Sequence, residues 1–494
     1  MHRPVTRLIA SALAAQLLLG ACSATARMPP MPWPEPQPQQ PQWFSQQPVV
    51  RSVPNFQAPS ATHCSRPVAT REVPGWPQGG NAASEHALRD RPAKSAAAGE
   101  PPPALAAAPA APTARAEGAA ADATARHRGS AAPWPAPQPQ PLPQQQPAPG
   151  GVVTAGVVDD NADFDSYLAF RNRTRVEHRP RDVRERYLLQ VKDRAGRGVA
   201  DAEVAVLGAS GHAMWARSDA GGRVWLHPNA FDPMRSPGYQ VLVRKQGAQA
   251  GAQLQRGQKS AVEVVLDTPA APSRAQLDLV FLIDATGSMA DEIGKLKASL
   301  RSIAAEVARM PSRPDLCLGL VAYRDRGDAF VLRSHDFTDD VGGFLRDALL
   351  PLQAAGGGDY PEAMNEALHD AVHRLSWRGD NTTRLVVLLA DAPPHLDYGA
   401  PHYDDDMLAA LGKGIKVFSV GASGLDRQGE FIQRQIAQYT GGHFVFLTYA
   451  QAHDPSSGPG RETVHDVKNY SVDTLDRLIV RLVSEELGKL AAAR

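Results

Sequence analysis

Leu279-Val-Phe-Leu-Ile-Asp-Ala-Thr-Gly-Ser-Met289 is the stretch on which the reading of this 494-residue chain turns. Five consecutive apolar residues, Leu279 to Ile283, fit a strand buried on both faces, as in parallel sheets. They run without a break into Asp284, Thr286 and Ser288, a carboxylate and two hydroxyls at alternate positions of one tight loop. All three oxygens can face one point. Hard oxygen ligands of this kind, together with water, suit Mg²⁺, which prefers a small octahedron and keeps part of its hydration shell.

Further along, apolar runs at Cys317–Ala322, Leu385–Leu389 and Val417–Val420 alternate with amphipathic stretches of helical length at Ile293–Val307, Ala363–Leu375 and Leu475–Leu487. That alternation predicts an α/β fold, an open sheet wrapped by helices. In such sheets ligands bind beyond the carboxyl ends of the strands, and the polar residues cluster there. Two enzyme readings of the first loop fail. Ala285 interrupts the Asp-Thr-Gly-Ser match to aspartic proteases, and a dehalogenase-type phosphatase needs a second aspartate two residues after the first. No catalytic constellation emerges, so a hydrolase is the third reading and a non-enzyme the first.

The Asp284-Ala-Thr286-Gly-Ser288 loop resembles the metal-ion-dependent adhesion site of von Willebrand factor A domains, which reads Asp-x-Ser/Thr-x-Ser. The likeness extends through Gly356-Gly-Gly-Asp359-Tyr-Pro-Glu362-Ala363 and through the strand Leu385–Ala390 that ends in Asp391. It implies a Rossmann-like open sheet over residues 276–494. It also implies Asp284, Thr286 and Ser288 in the first ligand loop, Asp359 in the second and Asp391 in the third, around Mg²⁺ or, in its place, Mn²⁺ or Ca²⁺. A protein partner would be bound, through an acidic side chain. Asp359 stands where many adhesive members have threonine. A third carboxylate should hold the cation more firmly and weaken capture of an acidic ligand group. The glycine triplet lets the backbone pass close to the metal. Family members resembling this one shift their last helix on ligand binding, which makes the amphipathic segment Val472–Leu487 the candidate switch.

Upstream, residues 183–268 hold short alternating runs separated by turn residues, as in a β-sandwich. The order Val191-Lys-Asp-Arg-Ala-Gly196, Val199-Ala-Asp-Ala202, Ser218-Asp-Ala-Gly-Gly-Arg223 looks like the carboxypeptidase-regulatory or collagen-adhesin B-type family, a spacer or platform. Residues 156–182 read as a connecting arm. Of the 43 prolines, 27 fall between Pro29 and Gly150, so residues 23–155 cannot build a core and read as a long disordered tether. Residues 1–22 read as a secretory signal, with His2, Arg3 and Arg7 ahead of the apolar run Leu8–Leu19. Its end, Leu19-Gly-Ala-Cys22, resembles the bacterial lipobox, which implies acylation of Cys22 and a membrane partnership through the lipid. Ser23, in place of aspartate, favours the outer membrane of a cell envelope.

Lys plus Arg and Asp plus Glu both number 52, so no global field recruits nucleic acid. Three cysteines give no even set and no Cys-x-x-Cys pair, which argues against zinc and against a disulfide framework. Cys64 is expected as a reduced or adventitiously paired thiol and Cys317 as a buried core thiol. The loop with His395, Asp397, His402 and Asp404-Asp-Asp406 reads as an acidic solvated rim, with a second cation there as the alternative. Arg-Gly-Asp occurs at Arg326–Asp328 and Arg378–Asp380, both explained as turn chemistry. The function expected is a lipid-anchored envelope protein that binds protein through its metal site. The runner-up is an assembly factor of an envelope complex in which the metal only shapes a loop.

Overall fold

In the computed structural model, residues 64, 70–75, 151–268, 274–358, 360–379 and 381–492 are described. Cys22, Asp359 and most of the tether lie outside the described residues. The strands are β1 (Thr70–Pro74), β2 (Thr154–Val158), β3 (Tyr187–Lys192), β4 (Glu203–Gly208), β5 (Ala213–Arg217), β6 (Arg223–Leu226), β7 (Gly238–Lys245), β8 (Ala248–Gln255) and β9 (Val262–Val265). They continue with β10 (Gln276–Asp284), β11 (Asp315–Tyr323), β12 (Phe330–Thr338), β13 (Thr382–Ala390), β14 (Ile415–Gly421), β15 (Phe444–Gln451), β16 (Asp454–Pro459) and β17 (Val472–Thr474). The main helices are α1 (Phe164–Arg173), α2 (Ala290–Ala308), α3 (Met364–His373), α4 (Tyr403–Lys413), α5 (Arg427–Thr440) and α6 (Leu475–Ala492). No helix among the described residues is long and apolar enough to cross a membrane.

The expected α/β architecture is present. The main sheet runs β1-β12-β11-β10-β13-β14-β15-β2-β17, with β11, β10, β13, β14 and β15 mutually parallel. Successive side chains of a strand point to opposite faces, and β10 divides accordingly. Leu279, Phe281 and Ile283 pack with α2 and α6, whereas Val280 and Leu282 pack with α3, α4 and α5. Every residue from Leu277 to Asp284 is buried, which explains why the run carries no polar alternation. Asp278 is the exception to its apolar character. Its carboxylate accepts from Arg378 Nε at 2.6 Å and from the Arg378 amide at 2.8 Å, so the buried charge is paired.

Two outer strands, one at an edge and one next to the other edge, come from stretches read as tether and connecting arm. β1 pairs antiparallel with β12, from Thr70 opposite His335 to Pro74 opposite Phe330, and Glu72 meets Arg333 across it at 2.9 Å. β2 pairs antiparallel with β15 on the other edge and carries β17 beyond it. The start of the segment expected as the final helix, Val472–Thr474, is thus a strand, and the helix begins at Leu475. α1 then follows β2 and sets Phe170 against Phe431 of α5, ring centroids 5.9 Å apart.

The small strands lie between α1 and β10 in the chain, so they interrupt the α/β unit. They form a sheet β6-β3-β9 and an antiparallel sheet β5-β4-β7-β8. Inward residues of both, among them Leu189, Val191, Val204, Val241 and Val264, share one buried core. That core is continuous with the helix face carrying Met407, Ala410 and Leu411. β5 and β8 were not apparent in the sequence: β8 reads Ala-Gln-Ala-Gly-Ala-Gln-Leu-Gln, with no β-branched or aromatic residue.

One expectation is overturned. Cys64 and Cys317 form a disulfide, Cα atoms 5.8 Å apart, across a sequence separation of 253. Cys317 is buried as expected but is not a free thiol, and of the two states left open for Cys64 the structure has the paired one. Counting three cysteines argued from parity, but a single long-range pair needs only two of them, and distant residues meet once β1 docks beside β12.

Candidate functional site

β10 and β13 are parallel neighbours in register, with Ile283 level with Leu389. Their carboxyl ends therefore carry Asp284 and, just after Ala390, Asp391 to the same rim of the sheet. The first loop is folded by its own side chains. Thr286 donates from its amide at 2.9 Å and from its hydroxyl at 2.7 Å to Asp284 Oδ1, and Thr286 Oγ1 lies 3.0 Å from Ser288 Oγ. Asp284 and Thr286 are fully buried and Asp391 nearly so, while Ser288 opens to solvent. One wall is thus closed and the other accessible.

The glycine-rich segment closes over this loop. The Gly287 amide donates to Gly356 O at 2.8 Å, and the Gly357 amide donates to Asp328 Oδ2 at 2.8 Å. Gly356 and Gly357 have φ of +78° and +69°. A Cβ at Gly357 would stand 2.8 Å from Thr286 Cβ, so only glycine allows this approach. Asp359, the second-loop residue carried over from the family, follows directly but lies outside the described residues.

The electrostatics are those of an anionic pocket. Burial, and then the charge of Asp391, push the Asp284 carboxyl up to about 7. Burial also raises Asp391. Glu292, on the first turn of α2, is pushed up to about 7, mainly by burial, although the Ser423 and Tyr449 hydroxyls donate to it. Asp284 Oδ2 and Asp391 Oδ1 are both buried with no hydrogen-bond partner. Buried carboxylate oxygens without donors are costly unless a cation meets them. Two orphaned oxygens at adjacent strand ends, with two hydroxyls beside them, are a donor set that fits a hard divalent cation.

The other sequence candidates separate. Arg378 is 1% exposed and pairs with Asp278 and Asp315, so it belongs to the core and not to a surface tripeptide. Arg326 pairs with Glu366 at 2.7 Å, and Asp328 holds the glycine loop. The loop after Asp391 does not gather into one site. His395 stacks on Tyr398 and pairs with Asp397 at 3.0 Å, Asp404 is taken by Arg179 and Arg181, and Asp406 turns away to His369 and His373. Sequence reading passed over those two histidines because they sit on the amphipathic stretch that becomes α3.

Comparison with known proteins shows what part of the chain is similar to a known domain. Residues 278–395 match the family model of the von Willebrand factor A domain. An ariadne-like RING finger protein of Acanthamoeba polyphaga mimivirus is 32% identical over 128 residues, 25% of this chain and 12% of that protein. The alpha-protein kinase vwkA of Dictyostelium discoideum is 31% identical over 134 residues, 27% of this chain and 21% of the kinase. The chain thus spans less than a quarter of either relative. Among solved structures, the pilus adhesin SpaC of Lactobacillus rhamnosus GG, in its open conformation, aligns at 14% identity over 42% of this chain and 31% of its own, with a TM-score of 0.26. The VWA domain of SpRpn10 aligns at 16% identity over 33% of this chain and 82% of its own, with a TM-score of 0.25. Neither alignment is close enough to bear on function. Residues 278–395, the segment that carries Asp284 and Asp391, are thus similar to the von Willebrand factor A domain.

Proposed function

We propose that this chain is a non-enzymatic, lipid-anchored protein of a cell envelope whose von Willebrand factor A domain binds a protein partner through a divalent-cation site. The observation that carries the reading is the pair of orphaned buried oxygens, Asp284 Oδ2 and Asp391 Oδ1, beside the Thr286 and Ser288 hydroxyls. Asp284, Thr286, Ser288 and Asp391 would hold Mg²⁺ or Mn²⁺, with Asp359 as the further ligand that the family resemblance supplies. Bound there, the cation would offer an open coordination position to an acidic side chain of the partner. The protein's own part is to orient. Thr286 fixes the Asp284 rotamer, the glycine loop fixes Thr286, and exposed Ser288 leaves the entrance free. Cys22 would carry the acyl chains that keep the protein at the membrane.

Calorimetric titration of the full chain with Mg²⁺ and Mn²⁺ tests the site. Binding should collapse in Asp284→Ala, and unchanged affinity in that variant would refute the assignment. Crosslinking in the native envelope, with and without EDTA, tests the partner, which should be captured only when the cation is present. Radiolabelled palmitate should enter the wild type and not Cys22→Ser; label in that variant would refute the anchor.

A further inference from the structure

We infer a second metal site, of different chemistry, formed by His369, His373 and Asp406. His369 and His373 are four residues apart on α3, so their side chains leave one face of the helix one above the other. Asp406 lies in the first turn of the neighbouring helix α4. His369 Nδ1 and His373 Nε2 each lie 3.0 Å from Asp406 Oδ1, and the two ring centroids are 4.5 Å apart. The three ligand atoms all fall within 4.8 Å of one another.

The local environment favours an ion over a plain hydrogen-bonded triad. Asp406 is 2% exposed, and its Oδ2 is buried with no hydrogen-bond partner. A carboxylate that two imidazoles already touch is thus still short of positive charge. The histidine side chains are 39% and 35% exposed, which leaves an entry path and a fourth, solvent-facing position.

Two imidazoles and one carboxylate suit Zn²⁺ or a similar transition ion far better than Mg²⁺, which takes oxygen ligands. Bonds of about 2.0–2.2 Å at tetrahedral angles put ligand atoms roughly 3.3 Å apart. The two histidine–aspartate separations of 3.0 Å are within a few tenths of an ångström of that, and the two ring nitrogens, no more than 4.8 Å apart, would close toward it on binding. The site would tie α3, which follows the second ligand loop, to α4, which follows the third. It lies on α3 and α4 and shares no residue with the adhesion-type site.

The test uses the full chain carrying Asp284→Ala, so that the oxygen-ligand site does not contribute. Calorimetric titration should give one equivalent of Zn²⁺. Co²⁺ in its place should give the visible absorption of a four-coordinate ion, and excess Mg²⁺ should displace neither. His373→Ala should weaken Zn²⁺ binding at least about a hundredfold, because even outer-shell partners of metal ligands are worth 10–100-fold. Its metal-free melting temperature should stay near that of the parent, since the ring is partly exposed. If His373→Ala fails to fold, His369→Ala carries the same expectation. Zn²⁺ affinity and Co²⁺ spectra unchanged by the substitution, or no Zn²⁺ uptake by the parent, would overturn the site.

Discussion

Asp201 is one of the points at which the small sheets lock onto the α/β unit, and replacing it with asparagine isolates its charge. Oδ1 accepts from Arg217 Nε at 2.6 Å and Arg384 Nη1 at 2.9 Å. Oδ2 accepts from the Asn381 amide at 2.7 Å and Arg384 Nη2 at 3.2 Å. The side chains of Arg217 and Asp201 are each 6% exposed and that of Arg384 is fully buried. Asparagine keeps the shape and tolerates the positive φ of 54° at this position. Its amide group, however, must face donors. Breaking a buried ion pair on one side costs about 3–5 kcal/mol. Arg384 keeps the carbonyls of Arg378, Gly379 and Lys413 as acceptors, so the low end applies. A loss of about 3 kcal/mol should lower the urea midpoint by roughly 1 M, taking a slope near 3 kcal/mol/M for a chain of this size. The pH dependence gives a second check. Burial would raise the Asp201 carboxyl, but Arg217 and Arg384 outweigh it and hold its pKa well below the ordinary value. Its contribution is therefore complete above the unfolded value of about 3.9 and fades as pH falls toward the folded one. The gap between wild type and Asp201→Asn should narrow below about pH 4. Denaturation followed by tryptophan fluorescence measures both. A loss under about 1 kcal/mol at pH 7 would show the cluster to be energetically neutral and refute the reasoning.

Glu292→Gln should stabilise the cation-free protein. A carboxyl raised to about 7 favours the protonated form in the fold, so wild-type stability should fall as pH rises from the unfolded value through 7. In EDTA at pH 8 the variant should gain about 2 kcal/mol and show a flatter pH profile; parallel profiles would contradict the burial argument. Gly357→Ala should cost at least about 1 kcal/mol for its left-handed backbone and, by pressing on Thr286, weaken Mg²⁺ binding. Unchanged melting and affinity would deny the close approach. Cys64→Ser should abolish the reduction-dependent shift on non-reducing gels and lower stability by about 2–4 kcal/mol. A wild type whose migration ignores reductant would count against the crosslink.

The parallel core was readable because buried parallel strands spell themselves out: Leu279–Ile283 and Leu385–Leu389 are apolar without interruption. The loop oxygens at Asp284, Thr286 and Ser288 were readable for the opposite reason, as polar residues at the end of such a run. The edge strands were not. β1 reads Thr-Arg-Glu-Val-Pro and is largely exposed, so it owes its conformation to β12 and to Cys317 rather than to its own pattern. Long-range charge pairing was equally silent. Nothing in the sequence says that Arg378 would be drawn inward by Asp278, a hundred residues earlier. Asp406 was legible only as part of an acidic loop, and His369 and His373 as polar positions on an amphipathic stretch, because only the packing of α3 against α4 brings the three together.

The cystine between Cys64 and Cys317 also sets how the molecule would bear tension. Cys64 precedes β1, and Cys317 lies inside β11. A pull entering from the upstream side meets the crosslink before it can unzip β1 from β12. The load passes into β11, which pairs in parallel with β10 along its whole length, up to Tyr323 beside Asp284. Parallel strands pulled along their axis resist in shear, with their hydrogen bonds loaded together and not one at a time. The strand that ends in the ligand loop would therefore share the strain first, while the edge of the sheet stays intact.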